Sequence, residues 1–284
     1  MNTFPQFVQL PLADWIDAGI DWLVQVGGPF FDWMGEVLLK PLVGLEQFLL
    51  WLPWWLIILA VAAVAWKTSG WKLAAGAVLS LLFIGMLGLW THAIKTLTLV
   101  IAGTVLAVAV AIPTGIAMAR SDRLERIIRP LLDLMQTLPS FVYLVPVIIL
   151  FGMGKVPAVM ATFIYAVPPA IRLTNLGIRQ VPQDAIEAGQ AFGSTPRQML
   201  LKVQLPLALP TIMAGINQTV MMALSMVVIA SMIGAEGLGT EVLNGIGRLE
   251  TGRSFAAGIS IVIMAIIIDR ISQGFARSRP AGQG

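Results

Sequence analysis

Long uncharged runs of apolar residues, separated by short charged clusters, dominate the chain. They extend over Gln47–Trp66, Leu73–Thr91, Thr96–Ala119, Leu134–Gly154, Val156–Ile171, Val203–Ala235 and Ser254–Ile268. A helix needs about 20 apolar residues to cross the hydrocarbon core of a bilayer, so each run reads as a span. The fifth and seventh are short, but Lys155 and Arg172, and Arg253 and Asp269, stand at their rims, where charged side chains reach the interface. The sixth is too long, and Pro206 and Gly234 trim it to ordinary length. The pattern predicts an all-α membrane protein of about seven transmembrane helices.

Charge then orients the spans. With the N-terminus outside, thirteen of the eighteen Lys and Arg fall on the cytoplasmic side, among them Lys67, Lys72, Arg120, Arg123, Arg126, Arg129, Arg172, Arg179 and Arg279. Basic residues collect in cytoplasmic loops, so this predicts N-out and C-in, as an odd number of spans requires. Residues 1–46 form an external segment in which Asp14, Asp17 and Asp21 share one helical face beside Trp15, Trp22 and Trp33, the pattern of an amphipathic helix lying on the membrane. The transmembrane domain is 47–284. His92 sits in a tight hairpin and reads as a simple interfacial residue.

The one sizeable cytoplasmic loop, within 176–206, spells two helices and a turn. Pro182 suits a helix start, Asp184 and Glu187 sit early, where the helix dipole favours acids, and Gly193 supplies a stop. Thr195, Pro196 and Gln198 make an N-cap, an N1 proline and a capping box, and Pro206 and Pro210 lead into the sixth span. Small residues at Ala185, Ala188, Gly189 and Ala191, with Phe192, leave room for the close approach of a partner.

Composition removes several function classes. With 57% hydrophobic and 12% charged residues, lipid is the main solvent of this chain. The net charge of +3 comes from scattered single cations, which argues against nucleic acid. One His, no Cys and no paired carboxylates leave neither a metal site nor a nucleophile, and no phosphate loop ending in GK[ST] occurs, so ATP belongs to another chain. An ion-coupled secondary transporter of organic cations is the alternative, but it needs charge inside its spans. Here Asp133 is expected to pair with Arg129 at a rim, and Asp269 to lie at the end of the last span.

The loop also carries a motif. Glu187-Ala188-Gly189, then Gly193, then Val203-Gln204-Leu205-Pro206 resembles the EAA signature of permease subunits in bacterial ATP-binding-cassette importers, with Gly189 and Val203 as mild departures. The stretches MQTLPSFVYLVPVIILFGMGKVP, AVPPAIRLTNLGIRQVP and ALSMVVIASMIGAEGLGTEVLNGIGRLETG are similar to permeases for glycine betaine, proline betaine and choline uptake, over roughly residues 90–275. The short N-terminal segment is similar to the choline-type members.

The resemblance implies a type I ABC importer permease fold in the bacterial inner membrane, with two copies forming the pathway. It implies an ABC ATPase subunit, carrying ATP and Mg, docked on the loop through Glu187, Ala188, Gly189, Gly193, Val203, Leu205 and Pro206. It also implies an external substrate-binding protein facing the Gly-rich loop, where Glu236, Glu241, Arg248, Glu250 and Arg253 are the candidate docking charges. Pro139, Pro146, Pro168 and Pro169 are expected to bend the fourth and fifth spans and so shape the pathway.

Overall fold

The computed structural model describes residues 10–277, and every regular element there is a helix. Residues 1–9 of the expected external segment, and Arg279 among the orienting cations, lie outside the described residues. The chain runs through α1 (Leu12–Trp51), α2 (Trp54–Ser69), α3 (Trp71–Met86) and α4 (Trp90–Arg120). α5 (Asp122–Thr137), a 3-10 turn (Ser140–Tyr143) and α6 (Leu144–Phe151) lead to α7 (Lys155–Arg179). Then come α8 (Gln183–Ala191), the single turn α9 (Pro196–Gln198), a π turn (Met199–Gln204), α10 (Leu205–Ala230), α11 (Leu238–Gly247) and α12 (Thr251–Arg277).

Length and composition let four helices cross a membrane singly: α4, α7, the continuous run Pro196–Ile233, and α12. α1 with α2, and α5 with α6, qualify only as pairs bent by 102° and 112°. The structure therefore holds four to six candidate spans against the expected seven, because α3, at 16 residues, is shorter than a full crossing.

Prolines make both corners. Leu52 and Leu138 precede Pro53 and Pro139, and each is pushed to an extended ψ of 135° by the following ring. The apolar runs Gln47–Trp66 and Leu134–Gly154 thus each enclose a corner instead of one straight helix. Pro168 and Pro169 behave differently from the expectation: α7 passes through both without a break, and both are buried. Pro146 falls in the first turn of α6, where a missing N–H leaves no bond unmade.

Two expected boundaries move. α1 continues beyond residue 46, and Glu46 is buried in an ion pair with Lys155 Nζ at 2.8 Å. Asp14, Trp15, Asp17 and Trp22 are all exposed. α12 continues eight residues beyond Asp269, whose carboxylate accepts hydrogen bonds from Asn217 Nδ2 at 3.1 Å and Gln273 Nε2 at 2.8 and 2.9 Å. Asp269 is therefore an interior helix residue, satisfied by neutral amides from α10 and its own turn.

α7 is the centre of the bundle, flanked by α4 and α10. Small residues mark the crossings, where they let backbones approach. A Cβ built on Gly103 would lie 2.6 Å from Thr162 Cγ2, and one on Gly115 would lie 2.5 Å from Thr174 Cβ. Gly177 and Gly215 play the same part toward α10, against Thr211 and Leu173. α4 and α7 finish at one end of this bundle, where the run from Pro196 begins; the opposite end holds Trp90, Lys155, Ile233 and α11.

Candidate functional site

The loop after α7 is assembled almost entirely from local signals. Pro182 is the N-cap of α8, one position before the helical start expected for it. Ala185 and Ile186 turn inward onto Ile178, Val181, Leu200 and Ala208. Gly189 faces Met199, whose Cε would stand 2.6 Å from an added Cβ, so an alanine there would need only the methionine tip to move. α8 closes in a Schellman motif: Ser194 N–H donates to Gly189 O at 3.0 Å, and Gly193 has φ +73°. The capping box is present, with Gln198 N–H donating to Thr195 Oγ1 at 3.3 Å and Thr195 N–H to Gln198 Oε1 at 2.9 Å.

The second loop helix is not a separate piece. α9 passes through the π turn into α10, so Pro206 lies inside one continuous helical run. Pro206 and Pro210 each lack an N–H for the carbonyl four residues earlier, and the wider π turn sits where that ladder is weakened.

The motif residues divide by direction. Gly189, Val203 and Leu205 are half-buried against the loop's own base, and Pro206 is exposed on the run. Glu187, Ala188 and Gly193 face outward, with Gln183 Nε2 donating to Glu187 Oε1 at 3.2 Å. Beside them Phe192 is 91% exposed, a large aromatic at the tip of a helix. These outward residues form a small, rigid, largely uncharged face with one aromatic knob.

Arg179, the last residue of α7, ties the end of that helix to α4 and α5 just before the loop. Its guanidinium pairs with Asp122 Oδ1 at 2.7 Å and Glu125 Oε2 at 3.0 Å, and donates to Asn175 Oδ1 and Met118 O. On the sequence alone Arg179 counts only as an orienting cation; the signal for its pairing is the alternation of acids and arginines in α5, where Asp122 and Glu125 face α7. Asp133 pairs with Arg172 at 2.5 Å instead of with Arg129, because the neighbouring helix offers a guanidinium closer than its own preceding turn does.

At the opposite end, α11 is tied to α4 and α12. Thr96 Oγ1 accepts from Leu238 N–H at 2.8 Å, and Lys95 pairs with Glu236 at 2.5 Å. Glu241 is buried, accepting from Arg253 Nε at 2.7 Å, with His92 Nε2 3.5 Å away. Arg253 also reaches Glu250 at 3.1 Å, while Arg248 is exposed. The hydrogen bond from Lys95 holds the Glu236 carboxyl below its usual range. The hydrogen bond from Arg253 does the same for Glu241, outweighing the burial that pushes it up.

A carboxylate with a depressed pKa stabilises the fold at pH values above its unfolded pKa, and that contribution fades as pH falls through the lowered folded value. Glu241→Gln is expected to lower the thermal midpoint of the detergent-solubilised protein by roughly 3–8 °C at pH 7. The gap between the two proteins should hold down to about pH 5 and narrow below about pH 4. Thermal scans over that range check it; a gap independent of pH would contradict an ionised Glu241.

Helices packed around a central candidate span carry an exposed capped loop at one end and an ion-paired short helix at the other, and comparison with known proteins gives this architecture its class. Residues 111–279 match the family described as binding-protein-dependent transport system inner membrane component, and the chain belongs to that family. It is 52% identical over 274 residues to the glycine betaine/proline betaine transport system permease protein ProW of Escherichia coli, covering 96% of this chain and 77% of that one. It is 49% identical over 279 residues to the glycine betaine/carnitine transport permease protein GbuB of Listeria monocytogenes, covering 95% and 97%. In fold it is similar to a chain of the inward-facing MetNI methionine ABC transporter, with TM-score 0.62 and 22% identity, over 68% of this chain and 96% of that one.

Proposed function

We propose that this permease imports quaternary ammonium osmoprotectants, glycine betaine foremost, with energy from an ATPase that binds the α8–α9 loop. The observation that carries the reading is the outward face of Glu187, Ala188, Phe192 and Gly193, closed by a capped turn directly before the long helical run Pro196–Ile233. Glycine betaine, one of the cargoes expected from the sequence, is supported by the two relatives at 52% and 49% identity described above, which carry it in their names. ATP and Mg belong to the partner ATPase, two permease copies form the pathway, and an external binding protein delivers the cargo.

The topology that serves this function has α8 in the cytoplasm and the N-terminus outside. Counting each bent pair once and adding α3 makes seven crossings. α3 would span about 24 Å, a mismatch that local thinning and flanking Trp71 and Lys72 accommodate. Lys67, Lys72, Arg120 and Arg179 then share the cytoplasmic side. Closure of the ATPases on nucleotide draws the two loops together and turns the pathway outward, with the corner at Pro139 as its candidate bend.

Uptake of labelled glycine betaine and choline by cells with no other such system tests this. Saturable glycine betaine uptake that disappears with the ATPase partner is expected, with unlabelled glycine betaine competing better than choline. Uptake that persists without the ATPase and follows an ion gradient would establish the secondary transporter instead, with Asp269 as its intramembrane acid.

A further inference from the structure

Among the described residues, every residue with positive φ is glycine except Leu249, at φ +59°. It ends α11 in the same motif that ends α8. Glu250 N–H donates to Gly245 O at 2.8 Å and Leu249 N–H to Ile246 O at 3.1 Å, matching Ser194 to Gly189 and Gly193 to Gln190. The left-handed position of this motif is where glycine is normally found, because any Cβ there crowds the backbone. At α8 the chain uses Gly193; at α11 it uses a leucine.

Nothing inside the protein repays that strain. Leu249 is 89% exposed, so its side chain does not enter the core. It stands with exposed Ile246 at the tip of α11, with Arg248 and Glu250 on either side. An apolar tip within a charged rim is the anatomy of a protein contact, and strained residues that survive without internal reward concentrate at contact sites. α11 lies at the end of the bundle away from α8, tied there by Glu236, Leu238 and Glu241. The tip is thus carried on a braced support.

We infer that Leu249 is an apolar anchor onto which the external substrate-binding protein docks, with Arg248 and Glu250 as the polar rim that orients it. This rests on the topology and partners proposed above. The family is defined by dependence on a binding protein, which makes that protein the occupant of an exposed, rigid, apolar tip on this side. Glu241 and Arg253 hold the tip in place and are positioning residues; they do not themselves meet the partner.

The test uses the complete transporter, permease with its ATPase, in nanodiscs, titrated with purified substrate-loaded binding protein while ATP hydrolysis is followed. Leu249→Gly and Leu249→Asn both suit the left-handed backbone, so both should fold, with thermal midpoints equal to or above the parent. Both are expected to need about tenfold more binding protein for half-maximal stimulation, the loss that goes with one buried leucine, with basal and maximal rates unchanged. Half-maximal concentrations equal to the parent's in both variants would overturn the assignment. So would a changed permease copy number by mass photometry, which would give the tip to a second copy, or an effect confined to thermal stability, which would give it to lipid. If the parent itself is not stimulated by any binding protein, the failure lies in the proposed function and not in Leu249.

Discussion

Gly193→Val is expected to reduce ATP-driven uptake by at least tenfold while the permease remains in the membrane at near-normal level. An added Cβ at Gly193 meets nothing within 4 Å, so no clash unfolds the protein. The penalty is conformational: at φ +73° a β-branched residue pays about 1–2 kcal/mol, and the turn relieves it by leaving the left-handed region. That relief breaks the bonds from Gly193 and Ser194 to α8 and swings Phe192 off the docking face. Losing one well-placed contact of about 1.4 kcal/mol already costs tenfold in affinity for the ATPase. Gly193→Asn, which tolerates this backbone, should keep most of the activity. Uptake together with membrane immunoblots checks both, and normal transport by the valine variant would remove the loop from the coupling path.

Gly115→Leu should fail earlier, at folding. Its Cβ would lie 2.5 Å from Thr174 Cβ and 2.8 Å from Ile171 O, and the latter is backbone that cannot rotate away. α4 and α7 would have to separate along the seam where their backbones come together. A cost of about 3 kcal/mol or more and a large drop in folded yield from the membrane are expected. Gly76→Ala is the matched control: it lies in α3 with nothing within 4 Å of its Cβ, and it should be neutral or stabilise by up to about 1 kcal/mol. Fluorescence-detected size exclusion and thermal scans separate the two. Equal yields would mean the α4–α7 seam is looser than its geometry.

These sites differ in how far they can be seen from sequence. The capping box at Thr195–Gln198 and the stop at Gly193 were legible because their partners lie within five residues, and such short-range chemistry survives any tertiary context. The prolines show the opposite case. Pro53 and Pro139 make corners, whereas Pro168 and Pro169 sit buried inside an unbroken α7 between two neighbouring helices, a tertiary setting that the sequence does not display. The partner of Asp133 was misjudged for the same reason: Arg129 is one turn away in sequence, but Arg172 is nearer in space. The five acids and bases expected to await a binding protein could be counted along the chain, but their pairing could not. Glu236 is engaged with Lys95, and Glu241 and Glu250 with Arg253, leaving Arg248 as the exposed charge of the five with no ion pair among the described residues.

The run from Pro196 to Ile233 has a mechanical consequence. Its 38 residues make a rod of about 57 Å that begins in the turn capped by Thr195. At its other end Ile233 O accepts a hydrogen bond from Gly154 N–H at 2.9 Å, at the very start of α7. If the ATPase docks at the α8 loop as proposed, a tilt of about 5° pivoting there would sweep the far end of the run through roughly 5 Å with α7 held in place, more than that hydrogen bond can follow. On the coupling proposed above, the run would act as a geometric amplifier, turning a small angular stroke at the α8 loop into a bond-breaking displacement at the start of α7.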